Sequence, residues 1–359
     1  MIRILHVYPQ MRSAGTEMVI MNLYRNMDRE KVQFDFCVQR EGETDEIIAA
    51  MGGKIYYVPY SKNYERDMVE FFKARPEYQT VHTHTHAEMG IVLKAAKKAG
   101  VKRRIAHSHN SRPDLPKIVK LYKMWTSRFI ESFATHFLAC SNDAAKWLYP
   151  LKYKKAKVWN NAIDLDAFRF NKETREEYRK LLDIPSNAKV IAHIGRFAEQ
   201  KNHTQMIDWL NDMTKKDDKI YALLVGEGPL FDDMKAKAQS DRIRFLGLRK
   251  DVPQILCAAD VFLFPSLYEG LGIVAVEAQA SGLQCVASTG VPTAADIGLN
   301  LFERHALTDA QCVWEESINK AFVSKTVEER EEISKKAFET EYNIKQVAKE
   351  AQKFYLEEI

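Results

Sequence analysis

Arg196 and Lys201, five residues apart, stand just after the strand-like run VIAHI, and a helical stretch opens near Asn202. Two cations at a helix entrance suit an anion. Arg clamps a phosphate bidentately, Lys adds a point charge, and the helix dipole adds more. Further along, Glu269-Gly270-Leu271-Gly272 follows the run VFLFP and leads into another helical stretch. Gly270 and Gly272 leave backbone N–H groups bare at a helix N-terminus, a second ready anion site. Glu277 comes eight residues after Glu269 and has the chemistry to accept hydrogen bonds from a diol such as ribose. Gly226-Glu227-Gly228-Pro229 directly follows YALLV, a glycine turn that lets a ligand approach the backbone closely. Taken singly, each reads equally well as a solvated charge, a helix cap or a tight turn.

Two further patterns suggest metals. Asp164-Leu165-Asp166 spells Asp-x-Asp, a common chance triplet. His82, His84 and His86 alternate along a strand-like run and therefore share a face. Zinc would need a fourth ligand that the sequence does not offer, so the preferred reading is packed or cleft-lining histidines, and no metal site is assigned. The loop after the first strand reads Ser13-Ala14-Gly15-Thr16-Glu17, which is not a GxGxxG turn, and no GxxxxGK[ST] loop occurs. Nicotinamide and P-loop chemistry are thus poorly supported.

The elements that must position these residues alternate. Strand-like runs cover 2–8, 32–38, 54–58, 80–84, 104–109, 136–140 and 157–161, with helical stretches such as Glu17–Met27 and Ala87–Ala99 between them. A second series covers 189–195, 220–226, 243–247, 261–266 and 283–288, with helical stretches at 202–215, 229–239 and 269–281. This is βαβ patterning, and it predicts an α/β chain with two doubly wound parallel sheets facing a cleft. The expected domains are 1–165 and 166–340, joined near the hydrophilic stretch Asp164–Asn187. Residues 341–359 are expected to form a helix that returns to the first domain.

The length of 359 residues favours two cores. No apolar run approaches the ~18–20 residues that span a bilayer, and the N-terminus reads as a buried strand. The expected location is cytoplasmic or peripheral at the inner face of a membrane. Five scattered cysteines, none in a CxxC pair, argue against a disulfide framework. The net charge of +4 conceals +13 over Ile91–Lys157 and −9 elsewhere. Lys97-Lys98, Lys102-Arg103-Arg104, Lys117, Lys120, Lys123 with Trp125, and Lys152–Lys157 supply that basic face. It suggests docking on anionic lipid; a solvated face is the plain alternative. No nucleic-acid reading module accompanies it.

The stretches GRFAEQKN, GEGP, FLGLRKDV and FPSLYEGLGIVAVEAQASG, in that order, resemble the retaining, nucleotide-sugar-dependent glycosyltransferases of family 4, which have the GT-B fold. His107-Ser108-His109-Asn110, Ser141 and Asn160–Asp164 agree more loosely, and the layout is most similar to bacterial exopolysaccharide and capsule enzymes. The resemblance implies two Rossmann-like domains and transfer of a hexose from a nucleoside-diphosphate sugar, in the first place a UDP-sugar. The acceptor would be a hydroxyl on a lipid-linked or growing saccharide. It implies retention of configuration and no metal or cofactor. Arg196 and Lys201 would bind the diphosphate, Glu277 the ribose and Glu269 the transferred sugar. Amides of Gly270, Leu271 and Gly272 would lie near sugar and phosphate, and Gly226 in the adjoining turn. Leu248 and Arg249 would lie near the base, Gly15 near the phosphate and His109 near the sugar. Asn160-Asn161-Ala162 departs from the usual Pro-Asn-Gly, and Ala14-Gly15 from a glycine pair. Two other readings stay open: a donor-binding partner subunit, and a GT-B nucleotide-sugar epimerase.

Overall fold

Among the described residues seven strands build the first sheet: β1 (Ile2–Val7), β2 (Val32–Val38), β3 (Ile55–Tyr57), β4 (Thr80–Thr83), β5 (Arg103–Ser108), β6 (His136–Ala139) and β7 (Lys157–Val158). Six build the second: β8 (Lys189–Ile194), β9 (Ile220–Val225), β10 (Ile243–Gly247), β11 (Val261–Phe264), β12 (Gln284–Ser288) and β13 (Phe302–His305). The computed structural model describes residues 1–12, 15–85, 88–109 and 126–357. The chain divides into a unit of Met1–Ala162 with Ile344–Ile359 and a unit of Ile163–Asn343.

Both sheets are wholly parallel. Their orders are β3-β2-β1-β4-β5-β6-β7 and β10-β9-β8-β11-β12-β13. Each runs outward from its first strand, then jumps back to that strand's other side. The jump leaves a switch point between β1 and β4, and another between β8 and β11. Loops leaving the carboxyl ends of strands diverge there and open a crevice for ligands.

Period-two alternation feeds a core on each side of each sheet. In the second unit Val190, Ala192, Leu223, Val225, Phe262 and Phe264 enter one core. Their neighbours Ile191, Ala222, Leu224, Val261, Leu263 and Val286 enter the other. In the first unit Ile4, Phe34, Phe36, Ile105 and Leu138 share a face. The helix Ile344–Leu356 packs on that face through Ile344, Ala348, Ala351 and Tyr355, spaced as one helical stripe. Its end is held by Arg103, which donates to the carbonyls of Phe354 at 2.7 Å and Tyr355 at 3.2 Å.

Three local differences from the sequence reading have physical causes. The hydrophilic stretch after Asp164 contains the helix Lys172–Leu181, capped by the Asn171 side chain. That helix is secured by polar contacts rather than an apolar stripe. Arg175 and Arg179 donate to the carbonyls of Cys257, Ala258 and Ala259 and pair with Asp260. The helix read from Glu269 begins only at Ile273, because Gly272 adopts a left-handed conformation as its N-cap. The edge strand β13 has the polar sequence FERH and pairs with β12, which no apolar run would signal. The Asp-x-Asp triplet forms a turn, with the Asp166 N–H donating to Asp164 Oδ1 at 3.2 Å.

Candidate functional site

The loop after β8 is pinned by β9 and its turn. The Gly195 N–H donates to the Val225 carbonyl at 2.9 Å, and the Phe197 N–H to the Glu227 carbonyl at 3.0 Å. Gly226 makes this contact feasible. Its φ is +135°, and a Cβ there would sit 2.1 Å from the Gly195 carbonyl oxygen. Gly226 also donates to the Gly247 carbonyl at 2.8 Å, which ties in the loop after β10.

Lys201 ends a short 3-10 turn, Glu199–Lys201, and left-handed Asn202 starts the helix His203–Lys216. The Lys201 ammonium lies 2.6 Å from Glu269 Oε1 and 4.9 Å from the centre of the Phe264 ring. Only 15% of the lysine side chain and 8% of the glutamate side chain are exposed, so the pair is largely withdrawn from water. Around it the loops after β8 and β11 are laced together. The Leu267 N–H donates to the Gln200 carbonyl at 2.8 Å, Gln200 Nε2 to the Tyr268 carbonyl at 2.9 Å, and the Glu269 N–H to the Gly290 carbonyl at 3.0 Å. The salt bridge therefore spans the switch point itself.

Arg196 is exposed, and among the described residues it forms no ion pair. The helix Ile273–Ala280 starts at Gly272 (φ 79°) with no side-chain cap. Leu271 is buried and Gly270 partly so. Glu277 lies within this helix, and its carboxyl has no hydrogen-bond partner among the described residues. The residue as a whole is only partly buried, yet desolvation pushes its carboxyl up to about 8. Arg249 is engaged with Asp251 at 2.8 and 2.5 Å, and Tyr178 donates to the same carboxylate at 3.1 Å. Leu248 is 74% exposed.

The second unit thus brings Gly226, Lys201, Glu269, Gly270, Leu271, Gly272 and Glu277 to the carboxyl edge of its sheet. Arg196 stands at the same edge, and Leu248 and Arg249 follow β10. Gly15 and His109 belong to the first unit. Gly15 (φ 59°) is the N-cap of the helix Thr16–Arg25. His109 is buried, with its Nε2 2.8 Å from His84 Nδ1. Four of the five cysteines are buried and Cys312 is exposed.

Residues that the sequence reading passed over also gather at these edges. Glu17 is buried and paired with Arg12 at 3.4 Å, and burial raises its carboxyl. His193 donates from Nδ1 to the Leu263 carbonyl at 2.9 Å, while its buried Nε2 has no partner among the described residues. Burial also raises the hydroxyl of Tyr8 to about 12. His6 shares a face with Ile4 and joins His82, His84, His107 and His109 in one buried group. Strand alternation placed His6 on that face, but only the strand order β1-β4-β5 shows the three strands to be neighbours. Burial holds His6 down to about 3 and His82, His84 and His107 well below the usual imidazole range. His86 and the cations Lys117, Lys120 and Lys123 with Trp125 lie outside the described residues.

The second unit carries a buried cation, an uncapped helix N-terminus and a raised carboxyl at its switch point, features that suit an anion. Residues 174–340 match the family described as "Glycosyl transferases group 1", and residues 13–167 match "Glycosyltransferase Family 4". The chain is 34% identical over 335 residues to EpsF of Bacillus subtilis (strain 168), a protein named as a glycosyltransferase, with 89% of this chain and 87% of EpsF covered. It is 28% identical over 313 residues to the Escherichia coli UDP-Gal:alpha-D-GlcNAc-diphosphoundecaprenol alpha-1,3-galactosyltransferase, covering 80% and 79%. Among solved structures, Anabaena HepE in complex with UDP superposes with a TM-score of 0.82 over 99% of both chains at 16% identity. The chain belongs to glycosyltransferase family 4, and its fold is GT-B.

Proposed function

We propose that this glycosyltransferase moves a hexose from a UDP-sugar to a hydroxyl of a lipid-linked or growing saccharide in surface polysaccharide assembly, with retention of configuration. The observation that carries the reading is the Lys201–Glu269 pair at the β8/β11 switch, beside an uncapped helix N-terminus. Glycosyl transfer builds negative charge on the departing diphosphate. Lys201, Arg196 and the amides following Gly270 supply fixed positive charge for it, so a metal is not needed at this edge. Glu269, held by Lys201, faces the sugar, and Glu277 accepts from the ribose diol. Retention follows from same-face attack, with the departing phosphate taking the acceptor proton. The E. coli relative named as acting on a diphosphoundecaprenol acceptor supports a lipid-linked one.

The direct test offers a panel of UDP-hexoses with undecaprenyl-diphosphate saccharides and measures UDP release and product. UDP-sugar binding without turnover on any acceptor would favour the partner-subunit reading. Sugar interconversion without UDP release would favour the epimerase.

Glu277 gives this reading a pH signature. Its carboxyl is raised to about 8, so in the empty site it is protonated below that pH and its contribution to stability is lost as pH rises through 8. Binding the ribose diol as a carboxylate expels that proton. Affinity for UDP-glucose, whose diphosphate does not titrate in this range, should therefore rise by up to about tenfold per pH unit toward pH 8 and then level off. Calorimetry across pH 6–9 reads this directly, and Glu277→Gln should flatten the profile. A flat profile in the unaltered protein excludes the loss of a proton from Glu277 on binding.

The described part of the basic face supports lipid docking. Lys97, Lys98, Lys102, Lys154, Lys155 and Lys157 are exposed, and Leu151 beside them is 70% exposed. No helix among the described residues is long and apolar enough to cross a membrane. Co-sedimentation with phosphatidylglycerol vesicles should occur at low salt and fade at high salt; no binding at low salt ends the idea.

A further inference from the structure

Among the described residues of the first unit, five buried histidines are wired in two files. His6 Nδ1 lies 2.9 Å from His84 Nε2, and His84 Nδ1 lies 2.8 Å from His109 Nε2. Separately, the Tyr355 hydroxyl lies 2.7 Å from His82 Nδ1, and His82 Nε2 lies 3.1 Å from His107 Nδ1. The files meet where the rings of His107 and His109 approach to 4.0 Å. There His107 Nε2 is buried without a partner among the described residues. One ring nitrogen from each of His84, His107 and His109 lies within 4.8 Å of the other two.

We propose that His84, His107 and His109 bind a divalent transition-metal ion, zinc or a metal of similar coordination, at the carboxyl ends of β4 and β5. Three features carry this. The ligand type is right, because imidazole suits Zn²⁺ and its neighbours in the series. Two of the three outer nitrogens are already engaged, since His84 is held by His6, and His107 by His82 with Tyr355 behind it. Such backing is what fixes the tautomer and orientation of ligating histidines. The inner nitrogens need little movement. Tetrahedral ligands at ~2.1 Å from zinc stand ~3.4 Å apart, so the 2.8 Å His84–His109 pair opens by a small ring rotation, and the proton it shares shifts to an outer ring nitrogen so that both ligands stay neutral imidazoles. The other close trio, His6, His82 and His84, is a poorer set, because both nitrogens of His82 are taken by Tyr355 and His107. With three imidazoles the fourth position is left to water or an anion. The site stands on the first unit and does not rest on the donor reading above.

The experiment uses full-length protein without a histidine tag, stripped with chelator and titrated with Co²⁺. The expected result is visible d–d absorption that saturates at one equivalent and is displaced by Zn²⁺, together with a Zn²⁺-dependent rise in Tm. His107→Phe and His109→Gln should each abolish the band, while Lys201→Ala keeps it. No saturable one-equivalent band in the unaltered protein overturns the proposal, and so does a band that persists in either variant when it is folded by circular dichroism. Should both variants unfold, the zinc K-edge spectrum of the loaded unaltered protein decides. A shell of three imidazole nitrogens sustains the site, and any other shell overturns it.

Discussion

Lys201→Ala is expected to lower kcat/KM for sugar transfer by about 10²–10³-fold, the loss typical of removing one fixed donor from a developing anion. It should also destabilise the protein. Glu269 would keep a carboxylate whose side chain is 8% exposed and whose cation has gone. Breaking such a pair from one side costs about 3 kcal/mol, or roughly 6–12 °C in Tm for a unit of this size. The two effects separate in the double variant. Lys201→Ala with Glu269→Gln removes the stranded charge, so Tm should recover most of its loss while turnover stays low. If activity recovers together with Tm, Lys201 is a structural residue and its role toward the diphosphate is wrong.

Gly226→Ala should be the most damaging methyl group in the second unit. The added carbon meets the Gly195 carbonyl oxygen at 2.1 Å, and the backbone there holds φ at +135°. Neither partner can yield as a flexible side chain would, because both are main chain pinned by the Gly195–Val225 and Gly226–Gly247 hydrogen bonds. Clash and backbone strain together should cost roughly 3–4 kcal/mol, read as about 6–16 °C in Tm. The loops after β8 and β9 would part, displacing Lys201 and lowering turnover by about 10²-fold. Gly298→Ala is the control. Its φ is +80°, but nothing lies within 4 Å of the added carbon, so only the local strain of ~1–2 kcal/mol remains. Equal losses at the two positions would show that φ alone, and not the loop contact, sets the cost.

The legibility of this chain varied with the kind of force at work. Strands β8, β9, β11 and β12 are continuous apolar runs buried on both faces, and such runs announce themselves. The helix Lys172–Leu181 does not, because Arg175 and Arg179 secure it by bonding carbonyls more than seventy residues away. The helix Ile344–Leu356 was expected from its pattern, and its place on the first unit follows from the stripe ending at Tyr355. At the site, residue types were readable and partnerships were not. Arg196 and Lys201 were assigned the diphosphate, Glu269 the sugar and Glu277 the ribose. That Lys201 and Glu269 hold one another depends on β11 returning beside β8, a fact of strand order rather than of local sequence. Arg249 shows the same limit from the other side, since its charge is already engaged by Asp251. The histidines were visible as HTH and HSH, but His6 carried no motif at all.

The helix that closes the first unit leaves the ribosome only after the whole of Ile163–Asn343. Its stripe, Ile344 to Tyr355, covers Ile4, Phe34 and Phe36, which are made before the second unit. At ~5–20 residues per second, on the order of ten to forty seconds separate the emergence of Ala162 from that of Ile344. Throughout that interval the early sheet waits with an apolar face and its histidines uncovered, a nascent surface for a chaperone to shield. The uninterrupted segment Ile163–Asn343 carries all of its own strands and can finish during the same wait. Of the two units, the one begun earlier is therefore completed later.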